Sequence, residues 1–143
     1  MKKTLLSLAF IMLMVTAFAT PPNEKVLKIF QATFKSPEEV KWYDHADHFD
    51  VSFVQSGIRS NVRYDKDGSF MSSTRYYSEQ QLPTNILTKL KNRYSDKKIF
   101  GVTEITSSEE INFYVKLEDD KNWTTLKINT NGHIQVYEKY KKA

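Results

Sequence analysis

The segment Tyr64-Asp65-Lys66-Asp67-Gly68-Ser69-Phe70 returns 64 positions later as Ile128-Asn129-Thr130-Asn131-Gly132-His133-Ile134. At the same offset, Phe49-Asp50-Val51-Ser52-Phe53 falls on Phe113-Tyr114-Val115-Lys116-Leu117. Internal similarity at a fixed spacing means one structural unit used twice. Within each copy, apolar side chains occupy every second position, which describes strands buried on one face and wet on the other. A chain of this kind must supply a cover for one side of its strands and nothing for the other.

The cover is legible upstream of each strand set. Val26, Leu27, Phe30 and Phe34 recur at helical spacing behind Asn23, a helix-capping residue type, and Ser36-Pro37 ends the stretch. A second stripe, Ile86, Leu87, Leu90 and Tyr94, trails the first by about 60 positions, a difference that loop lengths absorb. It follows Ser78 and Gln81, spaced as a capping box, and Pro83, suited to a first helical turn. Strands are expected at 40–43, 49–53, 58–64 and 70–77, then at 99–105, 111–117, 123–128 and 134–140. Ser56-Gly57 and Asp65-Lys66-Asp67-Gly68 supply turn residues that tolerate positive φ. The expected fold class is α+β: a tandem repeat of a helix plus a four-stranded antiparallel sheet, in two layers with both helices on one face. The expected units are residues 20–78 and 79–143.

Parity then assigns side chains. Phe49, Val51, Phe53, Val62, Tyr64, Phe113, Val115, Leu117, Leu126 and Ile128 should face the helices. The opposite face should carry Arg59, Asn61, Arg63, Tyr114, Lys116, Trp123 and Lys127, joined from the fourth strands by Arg75 with Tyr77 and by Tyr137 with Lys139. Aromatic and arginine side chains are favoured at protein-binding hot spots, and a basic surface steers an acidic partner. The same residue types also stabilise ordinary solvent-facing strands through cross-strand pairs.

The first residues have the parts of an export signal: Lys2 and Lys3, an apolar run from Leu5 to Val15 broken only by Ser7, and Ala17-Phe18-Ala19 as a cleavage site. A leader over residues 1–19 and a mature start near Thr20 are expected. The run is shorter than the ~20 residues that span a bilayer, which disfavours an uncleaved anchor, and no other segment offers a span. The sequence contains no cysteine, so it has neither disulfides nor a lipid-attachment site. Taking the two leader lysines from 21 basic residues leaves 19 against 17 acidic ones, a balance too mild for a general nucleic-acid binder.

No catalytic constellation is visible. There is no Gly-x-Ser-x-Gly elbow, no phosphate-binding glycine loop and no His-Glu-x-x-His pair. Two segments carry metal-ligand residue types. One runs through Asp44, His45, Asp47, His48 and Asp50; it could hold a divalent ion, but its ligand types sit in one short turn with no distant partner ligand, which favours a polar hairpin loop. The other, Asp65 and Asp67, resembles the opening of a calcium loop but lacks its closing glutamate, and its copy at Asn129 and Asn131 is uncharged.

The ordered series Val40-Lys41-Trp42, Val51-Ser52-Phe53, Val62-Arg63-Tyr64-Asp65-Lys66-Asp67-Gly68, Leu82-Pro83, Tyr94, Ile99 to Glu104 and Tyr114-Val115-Lys116-Leu117 resembles the PepSY-like, beta-lactamase-inhibitor-like periplasmic proteins. It spans roughly residue 24 to the end, and no single motif in it is diagnostic. The resemblance implies the tandem helix-and-four-strand architecture of beta-lactamase inhibitory protein, with the open sheet face gripping a partner protein. It also implies binding or inhibition of an envelope enzyme or peptidase, with calcium binding in some members. The expectation is a non-catalytic periplasmic or secreted binding protein with no cofactor, whose alternative is a calcium- or metal-responsive one. Its partner would be a protein of the cell envelope, with no nucleic acid and no membrane insertion after signal cleavage.

Overall fold

A computed structural model describes residues 21–143; the expected leader and Thr20 lie outside the described residues. The chain runs through α1 (Glu24–Thr33), β1 (Glu38–Asp44), β2 (His48–Gln55), β3 (Ile58–Asp65) and β4 (Phe70–Tyr77). After a single 3₁₀ turn (Glu79–Gln81) it continues through α2 (Thr84–Arg93), β5 (Lys98–Ser107), β6 (Ile111–Glu118), β7 (Asn122–Asn129) and β8 (Ile134–Lys141). All eight strands form one antiparallel sheet in sequence order, so every connection within it is local. β1 and β8 are its edges, and beyond Ile134 every residue of β8 is exposed.

Asn23 caps α1 by accepting from the Val26 amide at 3.0 Å, which satisfies one of the otherwise unpaired first-turn donors. Ser78 does not do the same for α2. Its hydroxyl donates to the Gln81 side chain at 2.8 Å within the separate 3₁₀ turn, and Pro83 occupies the cap position. The expected capping box therefore belongs to the turn before the helix.

Cross-strand pairing settles which side each residue takes. Ser60, Arg75, Glu104, Phe113 and Ile128 lie opposite one another across β3 to β7. Ser60, Phe113 and Ile128 are buried, so this row lies on the helix side. All ten residues assigned to the helix side by parity are buried. They fall into two clusters. Under α1, Val26 and Phe30 pack with Trp42, Phe49, Val51, Phe53, Val62 and Tyr64. Under α2, Ile86 and Leu90 pack with Leu82, Val102, Phe113, Val115, Leu117, Leu126 and Ile128. The first core is organised by aromatic edges: the Phe30 ring meets Trp42 and Phe53, each at 5.2 Å and near perpendicular. The second is almost wholly aliphatic.

Each helix touches a glycine turn. Gly68 has φ +91° and donates to the Asp65 carbonyl; Gly132 has φ +75° and donates to that of Asn129. A Cβ on Gly68 would stand 2.6 Å from Ile29 Cδ1 of α1, whereas on Gly132 it would meet the mobile end of Lys89, at 2.7 Å from Nζ. Gly132→Ala is expected to cost about 1 kcal/mol from backbone strain alone, and Gly68→Ala ~2–3 kcal/mol because helix packing must also give. Urea denaturation of the two variants reads the difference, and equal losses would show that Ile29 yields freely.

Candidate interaction face

On the side away from the helices, Arg59, Tyr76, Thr103, Tyr114, Lys127 and Gln135 form one row across β3 to β8. Lys116 pairs with Thr125, Trp123 with Glu118 and Tyr140, and Arg63 with Asp50 and Ser72 on the same side. The structure thus places Arg59, Asn61, Arg63, Tyr114, Lys116, Trp123 and Lys127 on the uncovered face.

Arg75 and Tyr77 are a correction: both lie on the helix side. Arg75 stands opposite Ser60 and Glu104, and Tyr77 opposite Val102. They lie on β4, between the strands under α1 and those under α2, where Tyr77 packs against the second core. Arg75 Nη1 donates to Glu104 Oε1 at 3.2 Å and the Tyr77 hydroxyl to Oε2 at 2.6 Å. Burial, reinforced by the Glu104 carboxylate, holds the Tyr77 hydroxyl far above the usual phenol range. Lys139, opposite the buried Thr124, is likewise on the helix side.

The face is not electrically uniform. In its first half both arginines are already matched, while Lys41, opposite Ser52, forms no ion pair among the described residues. Arg63 forks onto Asp50, with Nε–Oδ1 at 2.8 Å and Nη2–Oδ2 at 2.9 Å, and this grip holds the Asp50 carboxyl below its ordinary range. Arg59 bonds Glu39 at 2.8 Å. In the second half, neither Lys116 nor Lys127 forms an ion pair among the described residues. Lys116 Nζ instead sits 4.8 Å from the Trp123 ring centroid and 5.6 Å from that of Tyr140. Lys142 Nζ, bonded to Glu118 at 2.6 Å, is 5.0 Å from the same indole. The Phe100 ring meets Trp123 edge-on at 5.0 Å, and Tyr137 meets Tyr114 in the same way at 5.1 Å.

Phe100 and Tyr140 enter this cluster unannounced by parity. A register shift between Ile99 and Gly101 brings Phe100 to the Trp123 side, and another opposite Thr125 and Leu126 puts Tyr137 and Tyr140, three residues apart, on one face. Phe100 and Tyr137 remain 61% and 62% exposed, far above what a packed aromatic shows. Nearby, Asp119 anchors the β6–β7 turn, accepting from the Lys121 and Asn122 amides and from Lys97 Nζ at 2.6 Å. The Lys97 bond is the main reason its carboxyl lies well below the usual carboxylate range.

The metal-ligand candidates separate. Asp65 Oδ1 is spent on its own turn, accepting from the Asp67 and Ser69 amides at 2.9 and 2.8 Å, while Asp67 stays exposed. Asp44 is ion-paired with Lys66, which removes it from the cluster in which it was expected. Asp47 binds His48 Nδ1 at 2.6 Å. Of that segment, His45, His48 and Asp50 bring their donor atoms together.

No protein family and no curated protein matches the sequence. The fold is shared with solved structures. A BLIP-like protein from Bacteroides fragilis superimposes with a TM-score of 0.65 at 17% identity, covering 86% of each chain. A DUF2874 family protein from Bacteroides ovatus gives 0.64 at 15%, covering 85% of this chain and 89% of that one. A protein from Bacteroides eggerthii assigned to the periplasm gives 0.63 at 12%, covering 85% and 90%. The architecture is therefore α+β and BLIP-like: an eight-stranded antiparallel sheet with two helices. No helix among the described residues is long and apolar enough to cross a membrane.

Proposed function

We propose that this chain is an exported, non-catalytic protein of the periplasm that binds an acidic protein partner through the second half of its uncovered sheet face, with inhibition of an envelope enzyme or peptidase as the consequence. One observation carries the reading. Trp123 is fixed between Lys116, Lys142 and the edge of Phe100 on a face that no helix covers, beside exposed Tyr137 and Tyr140. A clustered, pre-positioned aromatic patch loses little conformational freedom on binding, and exposed patches of this kind mark interaction sites. Lys116 and Lys127, without carboxylate partners of their own, favour an acidic one. The proposal takes the chain as two copies of one unit, residues 20–78 and 79–143, behind a leader over residues 1–19. The periplasmic assignment of the Bacteroides eggerthii neighbour supports the location.

A photo-activatable side chain in place of Tyr137, on this face, and another in place of the exposed Thr88 of α2 test the reading in envelope extracts. The Tyr137 position is expected to capture an acidic protein that the Thr88 position does not. Equal capture from both positions, or capture from Thr88 alone, would place recognition elsewhere.

A further inference from the structure

We propose that His45, His48 and Asp50 form a binding site for a divalent transition-metal ion of the zinc type, at the β1–β2 turn and independent of the Trp123 patch. Both imidazole Nε2 atoms point at one carboxylate oxygen: His45 Nε2 is 3.4 Å and His48 Nε2 3.6 Å from Asp50 Oδ2. The two rings stack with centroids 4.3 Å apart, and the three donor atoms lie within 4.8 Å of one another. Ligand atoms bonded tetrahedrally to zinc at about 2.0–2.1 Å stand about 3.3–3.4 Å apart, so both separations are close to the edge of such a tetrahedron.

The protonation pattern points the same way. His48 Nδ1 lies 2.6 Å from Asp47 Oδ1, an arrangement that assigns the proton to Nδ1 and leaves the Nε2 lone pair free. This carboxylate–histidine pairing is how metal-ligating imidazoles are oriented and made more basic. His48 Nε2 is buried without a hydrogen-bond partner. This lone pair is aimed at Asp50 Oδ2, whose hydrogen bond comes from Arg63 rather than from either imidazole, and an unsatisfied buried polar atom of this sort calls for an explanation. Arg63 holds both oxygens of Asp50, Nε on Oδ1 at 2.8 Å and Nη2 on Oδ2 at 2.9 Å, so the Oδ1 bond keeps the carboxylate in place when Oδ2 exchanges its Nη2 contact for a metal. Imidazole and carboxylate together suit zinc, copper or nickel rather than calcium, which prefers six or more oxygens. Three protein donors leave a fourth position for water or a partner's side chain.

Calorimetric titration of the purified protein with zinc chloride tests the site, with the third histidine, His133 in the remote β7–β8 turn, as control. One zinc per chain is expected. His45→Gln and His48→Gln should each lose tenfold or more in affinity, Asp47→Asn about tenfold through ring orientation, and His133→Gln nothing. All four positions lie in turns or at strand ends, and circular dichroism confirms that each variant folds. Calcium chloride should give no heat that depends on His48. Absence of zinc binding, or binding that survives His48→Gln or falls with His133→Gln, would overturn the site. None of these outcomes depends on whether a protein partner is found at Trp123.

Discussion

Trp123→Ala should weaken binding of the captured partner about 30-fold or more, the ~2 kcal/mol that truncation of a hot-spot tryptophan costs. Three of its neighbours take their positions from this ring: Phe100 against its edge, and Lys116 and Lys142 over its faces. Removing it deletes the largest apolar surface of the patch and loosens Lys116, while Lys142 keeps its bond to Glu118. Arg63→Ala is the informative comparison, because its guanidinium is already committed to Asp50. It should change affinity less than about threefold, the level of an energetically near-neutral contact. Titration calorimetry or surface plasmon resonance measures both. Since Trp123 lies outside the two cores, its loss should leave the melting temperature within a few degrees. A Trp123→Ala protein that binds as tightly as the parent would remove the patch from recognition.

Phe30→Ala should be among the most damaging single truncations for the fold, at about 3–5 kcal/mol, the range for a large aromatic deleted from a core. Phe30 is 2% exposed and is the one ring of α1 that touches Trp42, Phe53 and Phe34 together. Its removal opens a cavity that a short helix cannot close and dissolves three aromatic pairs at once. Leu90→Ala, in the aliphatic second core, should cost about 2–5 kcal/mol, and the smaller side chain places it toward the lower end. Urea unfolding gives both figures. Hydrogen exchange adds a local reading, because the two clusters share no buried residue. In Phe30→Ala, amides of β2 and β3 should lose protection before those of β6 and β7. Uniform loss across the sheet would show that the two cores open as one.

The parts of the fold readable from the sequence are those where burial is one-sided and regular. In β2, Phe49, Val51 and Phe53 alternate with polar residues, as Phe113, Val115 and Leu117 do in β6, so pleat phase follows from composition. In β4 it does not: Phe70-Met71 and Tyr76-Tyr77 are adjacent pairs flanking Ser72-Ser73-Thr74-Arg75, and no apolar period exists to phase them. Only pairing with β3 shows that Arg75 and Tyr77 lie on the helix side. Their bonds to Glu104 were invisible for the same reason, since Glu104 in isolation reads as a solvent-facing residue. Phe100 and Tyr140 were missed because a bulge shifts parity by one residue, and bulges leave no reliable mark in sequence. The histidine cluster was half legible. The segment could be named, but which carboxylate closes it depends on Lys66 reaching back to Asp44, a tertiary event.

β1 and β8 do not pair with each other, so each presents an unpaired row of amides and carbonyls. Such margins invite foreign strands to add on, the first step toward fibrils. Here the outermost strands discourage it: β8 places Glu138, Lys139 and Lys141 along its length and is kinked opposite Thr125, while β1 opens with Glu38 and Glu39 and a break in register. Charge and irregularity at both borders thus oppose edge-to-edge pairing of one copy with the next, in a sheet that has neither barrel closure nor a disulfide clasp.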